Sequence, residues 1–366
     1  MKCFLHIGPS RTGSTSIQAF LKINEKKLSN SGMQLINLSH TNMSELRIAF
    51  FDEYKPSNTD KRLKVNEKNF LSKKNEFRKL LANKLIKAKE EGKNAVIISS
   101  EGITGIGRPY QSSENKIREL ADWLLNYVDE VNIIPVLRRP DLRALSRYKN
   151  MVKNHGFCER NCLIHAHTMD LELYLSKWID AFGKENIKPI LFPDSVPEKR
   201  ILIEDFCEVT GIKKLNNKIK IEDIRRNASY DGRAIEIMRQ MNNIQIKQQL
   251  GSNKLLRNFQ KVMQNYYCSP DNLPIQKVSP SRNEAESFCE KYESSNEKIR
   301  QIFFNDRKVL FSKDFTRYPE VSFYPKFEKK DLLNILVSLL YDEQSLEDSN
   351  GMVNQPPVPH YDAPDF

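Results

Sequence analysis

The chain has 366 residues, 39% of them hydrophobic, and a formal net charge of +11. That length is enough for one large core, or one core with a small appendage. No apolar run approaches the roughly 20 residues that a membrane-spanning helix needs, so an integral membrane segment is not expected.

In chain order, a short apolar run at Cys3–Ile7 is the first expected strand. A loop carrying Gly8 and Gly13 follows, and a helix is expected over Ser14–Ser29, punctuated by Asn30-Ser31-Gly32. A strand at Gln34–Leu38 comes next, then a polar stretch from Ser39 to Lys68 that fits a long loop bordering a site. Helical periodicity covers Phe70–Glu90, and Ala95–Ser99 has the composition of a buried strand. The alternation continues with a helix at Glu114–Tyr127, a strand at Asn132–Leu137, and helices at Asp141–Lys153 and Leu171–Phe182. A strand at Pro189–Phe192 and a helix at Pro197–Thr210 complete it. Strands alternating with helices predict an α/β architecture, a central parallel sheet in three layers. Beyond Gly211 the chain turns rich in lysine and asparagine and no strand is expected. Helices are predicted over Asp231–Lys247, Lys254–Asn265, Arg282–Phe304 and Lys330–Tyr341. The proline-bearing end, Gly351–Phe366, has little core potential and is expected to be disordered or draped on the surface. Residues 316–366 are expected to form a C-terminal helical extension with a flexible tail.

The segment His6–Gln18, H-I-G-P-S-R-T-G-S-T-S-I-Q, joins the first strand to the first helix. Strand, glycine-bearing loop and helix N-terminus form the layout of a phosphate-binding loop, because loop amides and the helix dipole favour an anion. The spacing nearly fits G-x-x-x-x-G-K-[ST], with Gly8, Gly13 and Thr15 in place, but Ser14 stands where the lysine belongs. The nearby cation is Arg11, inside the loop. Such a loop lacks the charge that reaches β- and γ-phosphates, yet it suits a 5′-phosphate. The segment Asn132–Ser146 ends a buried-type strand in Arg138-Arg139-Pro140 and enters a helix bearing Ser146. An arginine at a strand's C-terminal end and a helical serine suit a phosphomonoester dianion. A nucleotide hydrolase would end that strand in aspartate to hold magnesium. Ala95–Ser99 leads to Glu101, a carboxylate at the same sheet edge.

His6–Gln18 resembles the 5′-phosphosulfate loop of sulfotransferases that use 3′-phosphoadenosine 5′-phosphosulfate (PAPS), with Arg11 in place of the usual lysine. Arg138 to Ser146 is similar to their 3′-phosphate motif, R-x-P-x-x-R-x-x-S. Softer likenesses at Trp178–Phe192, Arg225–Ser229 and Asn296–Phe311 extend the resemblance over residues 1–315, which it implies are the catalytic domain. It implies a P-loop-type fold and transfer of a sulfuryl group to a hydroxyl of a carbohydrate or glycoconjugate. PAPS is then the donor and no metal is required. Arg11, Thr12, Gly13, Ser14, Thr15 and Ser16 would hold the 5′-phosphate, and Arg138 and Ser146 the 3′-phosphate, with Arg226 as a further contact. Arg11 would also stabilise charge on the transferring group. Glu101 is the expected base and His6 the competing one.

Three other features complete the reading. Cys158, Cys162, His165 and His167, with His155, have a spacing open to zinc, to an acceptor-side loop or to an ordinary lid. The six cysteines of the chain are scattered and do not form a disulfide framework. The positive charge fits either a lysine-rich surface or a funnel for an anionic donor, and no basic motif interleaved with aromatics supports nucleic acid. With no leader expected before the first strand, a cytoplasmic bacterial enzyme is the expectation. The alternatives are a P-loop kinase or nucleotide hydrolase, and a nucleotide-binding relative without turnover.

Overall fold

The computed structural model describes residues 1–39, 42–50, 54, 62–105, 115–193, 199–212, 231–248, 254–268 and 275–347. The expected tail at 351–366 lies outside them. The strands are β1 (Lys2–Gly8), β2 (Met33–Leu35), β3 (Ala95–Ser99), β4 (Glu130–Leu137) and β5 (Ile190–Leu191). They pair in the order β2-β3-β1-β4-β5, and every pairing is parallel. β1 runs in register from Lys2 against Ala95 to His6 against Ser99 on one side, and from Lys2 against Glu130 to His6 against Ile134 on the other, where the register then shifts so that Gly8 meets Pro135.

Period-two alternation sorts β1 between two cores. Cys3, Leu5 and Ile7 pack on one face with α4 (Phe70–Glu90), α5 (Asn115–Leu125) and α7 (Leu171–Phe182), through residues such as Phe77, Leu120 and Trp178. Phe4 packs on the other face with α1 (Ser14–Ile23) and α8 (Lys199–Val209), through Ile17, Phe20, Leu202 and Phe206. The α/β three-layer expectation is therefore met.

Local differences from the sequence reading have local causes. The helix expected over Ser14–Ser29 is two helices, α1 and α2 (Glu25–Asn30). Asn24 is the C-cap of α1: its amide and its side chain both donate to the Phe20 carbonyl, at 3.1 Å and 3.0 Å. The polar stretch after Ser39 contains an unforeseen helix, α3 (Ser44–Phe50), held to the sheet where the Met43 amide donates to the Ser99 carbonyl at 3.0 Å. The helix expected over Arg282–Phe304 breaks into α11 (Arg282–Glu290), opened by a Ser281–Glu284 capping box, and α12 (Glu293–Phe303). The remaining helices are α6 (Pro140–His155), α9 (Gly232–Lys247), α10 (Lys254–Cys268) and α13 (Lys329–Glu347).

The described residues fall into two compact units. The first contains those within 1–148, 161–228 and 279–322, and so the whole sheet. The second contains those within 149–160, 229–278 and 323–366. In the second, Asp231 caps α9, accepting from the Arg233 amide at 2.8 Å, and Arg233 lies over the Tyr267 ring. Among the described residues no helix is long and apolar enough to cross a membrane.

Candidate functional site

Strand order places the site. The chain leaves β1 toward β2 on one side of the sheet and leaves β4 toward β5 on the other. Connections that diverge in this way open a crevice outside the C-terminal ends of the strands. The loop after β1, the turn after β3 and the start of α6 after β4 all belong to that edge.

The loop is tightly curved. Gly8, Arg11 and Gly13 have φ of 79°, 71° and 85°, and Arg11 is a non-glycine residue in the left-handed region. A Cβ on Gly8 would meet the Glu101 Cβ at 3.0 Å, so the loop approaches the turn Glu101–Gly105 at backbone distance. A Cβ on Gly13 would meet Leu202 of α8 at 2.4 Å and the Phe192 ring at 2.9 Å. The Thr12 hydroxyl donates back to the Pro9 carbonyl at 2.5 Å and stays inside the loop. Ser14 is buried, whereas Thr15 is exposed and Ser16 is half-buried. As the first residues of α1, Ser14 and Thr15 have amides without intrahelical acceptors.

Two motifs far apart in the chain meet here. Arg138, just past β4, donates from Nη1 to the Arg11 carbonyl at 2.7 Å and lies over the Phe192 ring at 4.4 Å. Arg11 donates from Nε to the Ser146 hydroxyl at 3.2 Å. Arg11 is exposed to solvent, yet protein atoms crowd its head group. That crowding lowers its pKa, and Glu101 nearby opposes the shift.

Glu101 begins the turn after β3. Burial raises its pKa most strongly, while the Ser14 hydroxyl and the Arg11 charge pull it down. The Ser14 hydroxyl favours the carboxylate from close by, without the alignment of a full hydrogen bond. His6 is fully buried beneath the loop. Its Nδ1 sits 2.8 Å from the Ser99 hydroxyl, which also accepts from Gln18 at 3.3 Å, and its ring meets Phe206 edge-on. Burial pushes its pKa down to about 3, so it is neutral at ordinary pH.

Three participants were not singled out in the sequence. Arg143 of α6 is buried and donates to the Ser10 carbonyl at 3.3 Å, to the Thr168 carbonyl at 2.8 Å and to the Thr168 hydroxyl. Its place in R-x-P-x-x-R-x-x-S was visible, but spacing does not reveal carbonyls brought from elsewhere. Thr168 and Phe192 carry no motif. Arg226 lies outside the described residues.

The histidine and cysteine cluster does not converge. His165 Nδ1 is 2.7 Å from the Tyr292 hydroxyl, and His167 Nε2 is 3.5 Å from the Thr104 carbonyl. Among the described residues no group of three His, Cys, Asp or Glu side chains is placed to hold a metal ion.

No family model matches the chain, and no curated protein matches it. Among solved structures it is similar to a sulfotransferase from Alicyclobacillus acidocaldarius, at 14% identity over 68% of this chain and 96% of that one, with a TM-score of 0.34.

Proposed function

We propose that the protein transfers a sulfuryl group from PAPS to a hydroxyl of a carbohydrate or glycoconjugate. One observation carries this reading: the lysine-free phosphate loop and the strand-end arginine motif meet through Arg11, Ser146 and Arg138. A nucleotide with phosphates at both its 5′ and 3′ positions matches two adjacent anion sites of this kind. The residues present fit such a donor. The loop has a buried serine hydroxyl without an aligned partner, and its two glycines let the chain curve tightly against Glu101 and Leu202.

The donor supplies an activated sulfuryl group on a phosphate leaving group. The loop amides and Ser14 would hold the 5′-phosphate at the positive end of α1. Arg138, keeping its bond to the Arg11 carbonyl, would offer further guanidinium donors to the 3′-phosphate, and Ser146, which accepts from Arg11, would offer its hydroxyl proton. Arg11 would oppose negative charge that develops nearby. Glu101 would take the proton from the acceptor hydroxyl, and burial suits it to that task by raising its proton affinity. His6 is sealed under the loop and would serve as its floor, by its bond to Ser99.

The test is thermal stabilisation by adenosine 3′,5′-bisphosphate, with magnesium–ATP alongside. A ligand at 100 times its dissociation constant stabilises by about 2.7 kcal/mol. Stabilisation by the bisphosphate alone supports the reading. Stabilisation by magnesium–ATP alone would assign the chain to the kinase or nucleotide-hydrolase class. Bisphosphate binding with no transfer to any of a panel of saccharides would favour a relative without turnover.

A further inference from the structure

Arg11 occupies a left-handed backbone conformation, with φ of 71°, which a residue bearing a Cβ adopts at a cost. Its two flanking carbonyls are each held by an arginine. Arg143 donates to the Ser10 carbonyl at 3.3 Å and Arg138 donates to the Arg11 carbonyl at 2.7 Å. Between them these bonds fix the peptide units on either side of Arg11. We infer that Arg143 is a positioning residue, which holds the Arg11 backbone so that its side chain serves the anion site. This rests on the function proposed above.

The geometry gives Arg143 a rigid base. Its other two nitrogens go to the carbonyl and hydroxyl of Thr168, in the turn His167–Met169. The neighbouring His167 faces the Thr104 carbonyl, and the Thr104 hydroxyl donates to the Glu101 carbonyl at 2.9 Å. One buried guanidinium therefore links the loop that carries Arg11 to the turn that carries Glu101. A planar fork with five donors can serve three acceptors on two segments, which a lysine ammonium cannot match in direction. Burial is its main electrostatic penalty, and the charges of Arg147 and Arg138 add to it. The pKa of Arg143 settles at about 10, so the group stays charged at neutral pH.

Two variants test this: Arg143→Lys, which keeps the charge, and Thr168→Val, which keeps shape and the carbonyl but removes one acceptor. Two readouts are needed. Calorimetry well below the unfolding temperature measures the dissociation constant for adenosine 3′,5′-bisphosphate. Hydrogen exchange on the unliganded protein follows amides 10–14 against those of β1 and β3. The expected result is bisphosphate binding about tenfold weaker in Arg143→Lys, with a smaller loss in Thr168→Val. Loop exchange should quicken about tenfold in Arg143→Lys, and strand exchange should be unchanged. The double variant should lose less than the sum of the two, because both act on one guanidinium. A purely structural role would lower thermal stability and speed strand and loop exchange alike, leaving affinity intact, and would overturn the inference. Unchanged loop exchange would overturn it whatever the protein binds. If the wild-type chain binds no bisphosphate, the proposed function fails, and this inference fails with it in its claim on the anion site.

Discussion

Replacing Gly13 by alanine tests the construction of the loop directly. The residue has φ of 85°, and a Cβ there would lie 2.4 Å from Leu202 Cδ2 and 2.9 Å from Phe192 Cε2. Leu202 is 1% exposed, so its methyl group has nowhere to go. Left-handed backbone with a Cβ costs about 1–2 kcal/mol. Overpacking of a filled core adds about 1–3 kcal/mol. Loss of unfolded-state entropy returns about 0.4–1 kcal/mol. The net expectation is a destabilisation of about 1–5 kcal/mol, centred near 3. Gly92→Ala is the control: its φ is 68°, and nothing lies within 4 Å of its Cβ position. Gly92 precedes β3 at the opposite end of the sheet, and its substitution should cost about 0–1.6 kcal/mol. The chain has two tryptophans, Trp123 and Trp178, and both belong to the first unit. The urea midpoint read by tryptophan fluorescence therefore reports the unit that contains the sheet. Because Phe192 also lies under Arg138, Gly13→Ala should weaken bisphosphate binding and Gly92→Ala should not. Equal midpoint shifts for the two alanines would refute the packing assigned to the loop.

Four further outcomes follow from named contacts. Below pH 6.5 the unfolded chain protonates His6 while the folded chain, with its pKa near 3, does not. Stability from this group is therefore full above pH 6.5 and falls as pH drops toward 3, with a limiting slope of about 1.4 kcal/mol per pH unit. His6→Gln should flatten urea-measured stability between pH 6 and 4, and an unchanged slope would contradict the burial. Glu101 behaves in the opposite sense: its raised pKa means that its contribution is present below the unfolded value and is lost as pH rises through the folded one. Glu101→Gln should thus raise the urea midpoint at pH 8, spare bisphosphate binding and lower turnover. Arg138→Ala should weaken the bisphosphate about 10- to 100-fold, as measured by calorimetry. Asp141 is fully buried, pairs with Arg139 at 2.8 Å and accepts from Tyr318 at 2.5 Å; Asp141→Ala should cost about 3–5 kcal/mol by leaving Arg139 uncompensated.

Much of the fold was legible because its signals are local. Ala95–Ser99 and Phe70–Glu90 appear in the structure with the bounds read from periodicity alone. A buried parallel strand must be continuously apolar, and a long amphipathic helix must repeat its apolar positions near every 3.6 residues. Asn24 shows the limit of that reading. The helix ends there although its pattern continues, and the meeting of the Asn24 amide and side chain on one Phe20 carbonyl is geometry that periodicity does not encode. α3 was missed for a related reason. Its seven residues are too few for a periodic window, and its position is set by Ser99 and Ser100, which receive and return bonds at Met43.

The same division holds at the candidate site. The sequence by itself determined the residue types along one sheet edge: a lysine-free glycine loop, a strand ending in arginine, and a carboxylate after a buried strand. These depend on order along the chain, which any fold of this strand pattern preserves. Tertiary structure alone decided that Arg138 grips the Arg11 carbonyl, that Arg143 reaches both Ser10 and Thr168, and that His6 is sealed against Ser99 and Phe206. Each of these joins segments separated by many residues. The physical reason is that a hydrogen bond or a desolvated ring is a property of distance and exposure, and parallel pairing of β1 with both β3 and β4 is what brings those segments within reach.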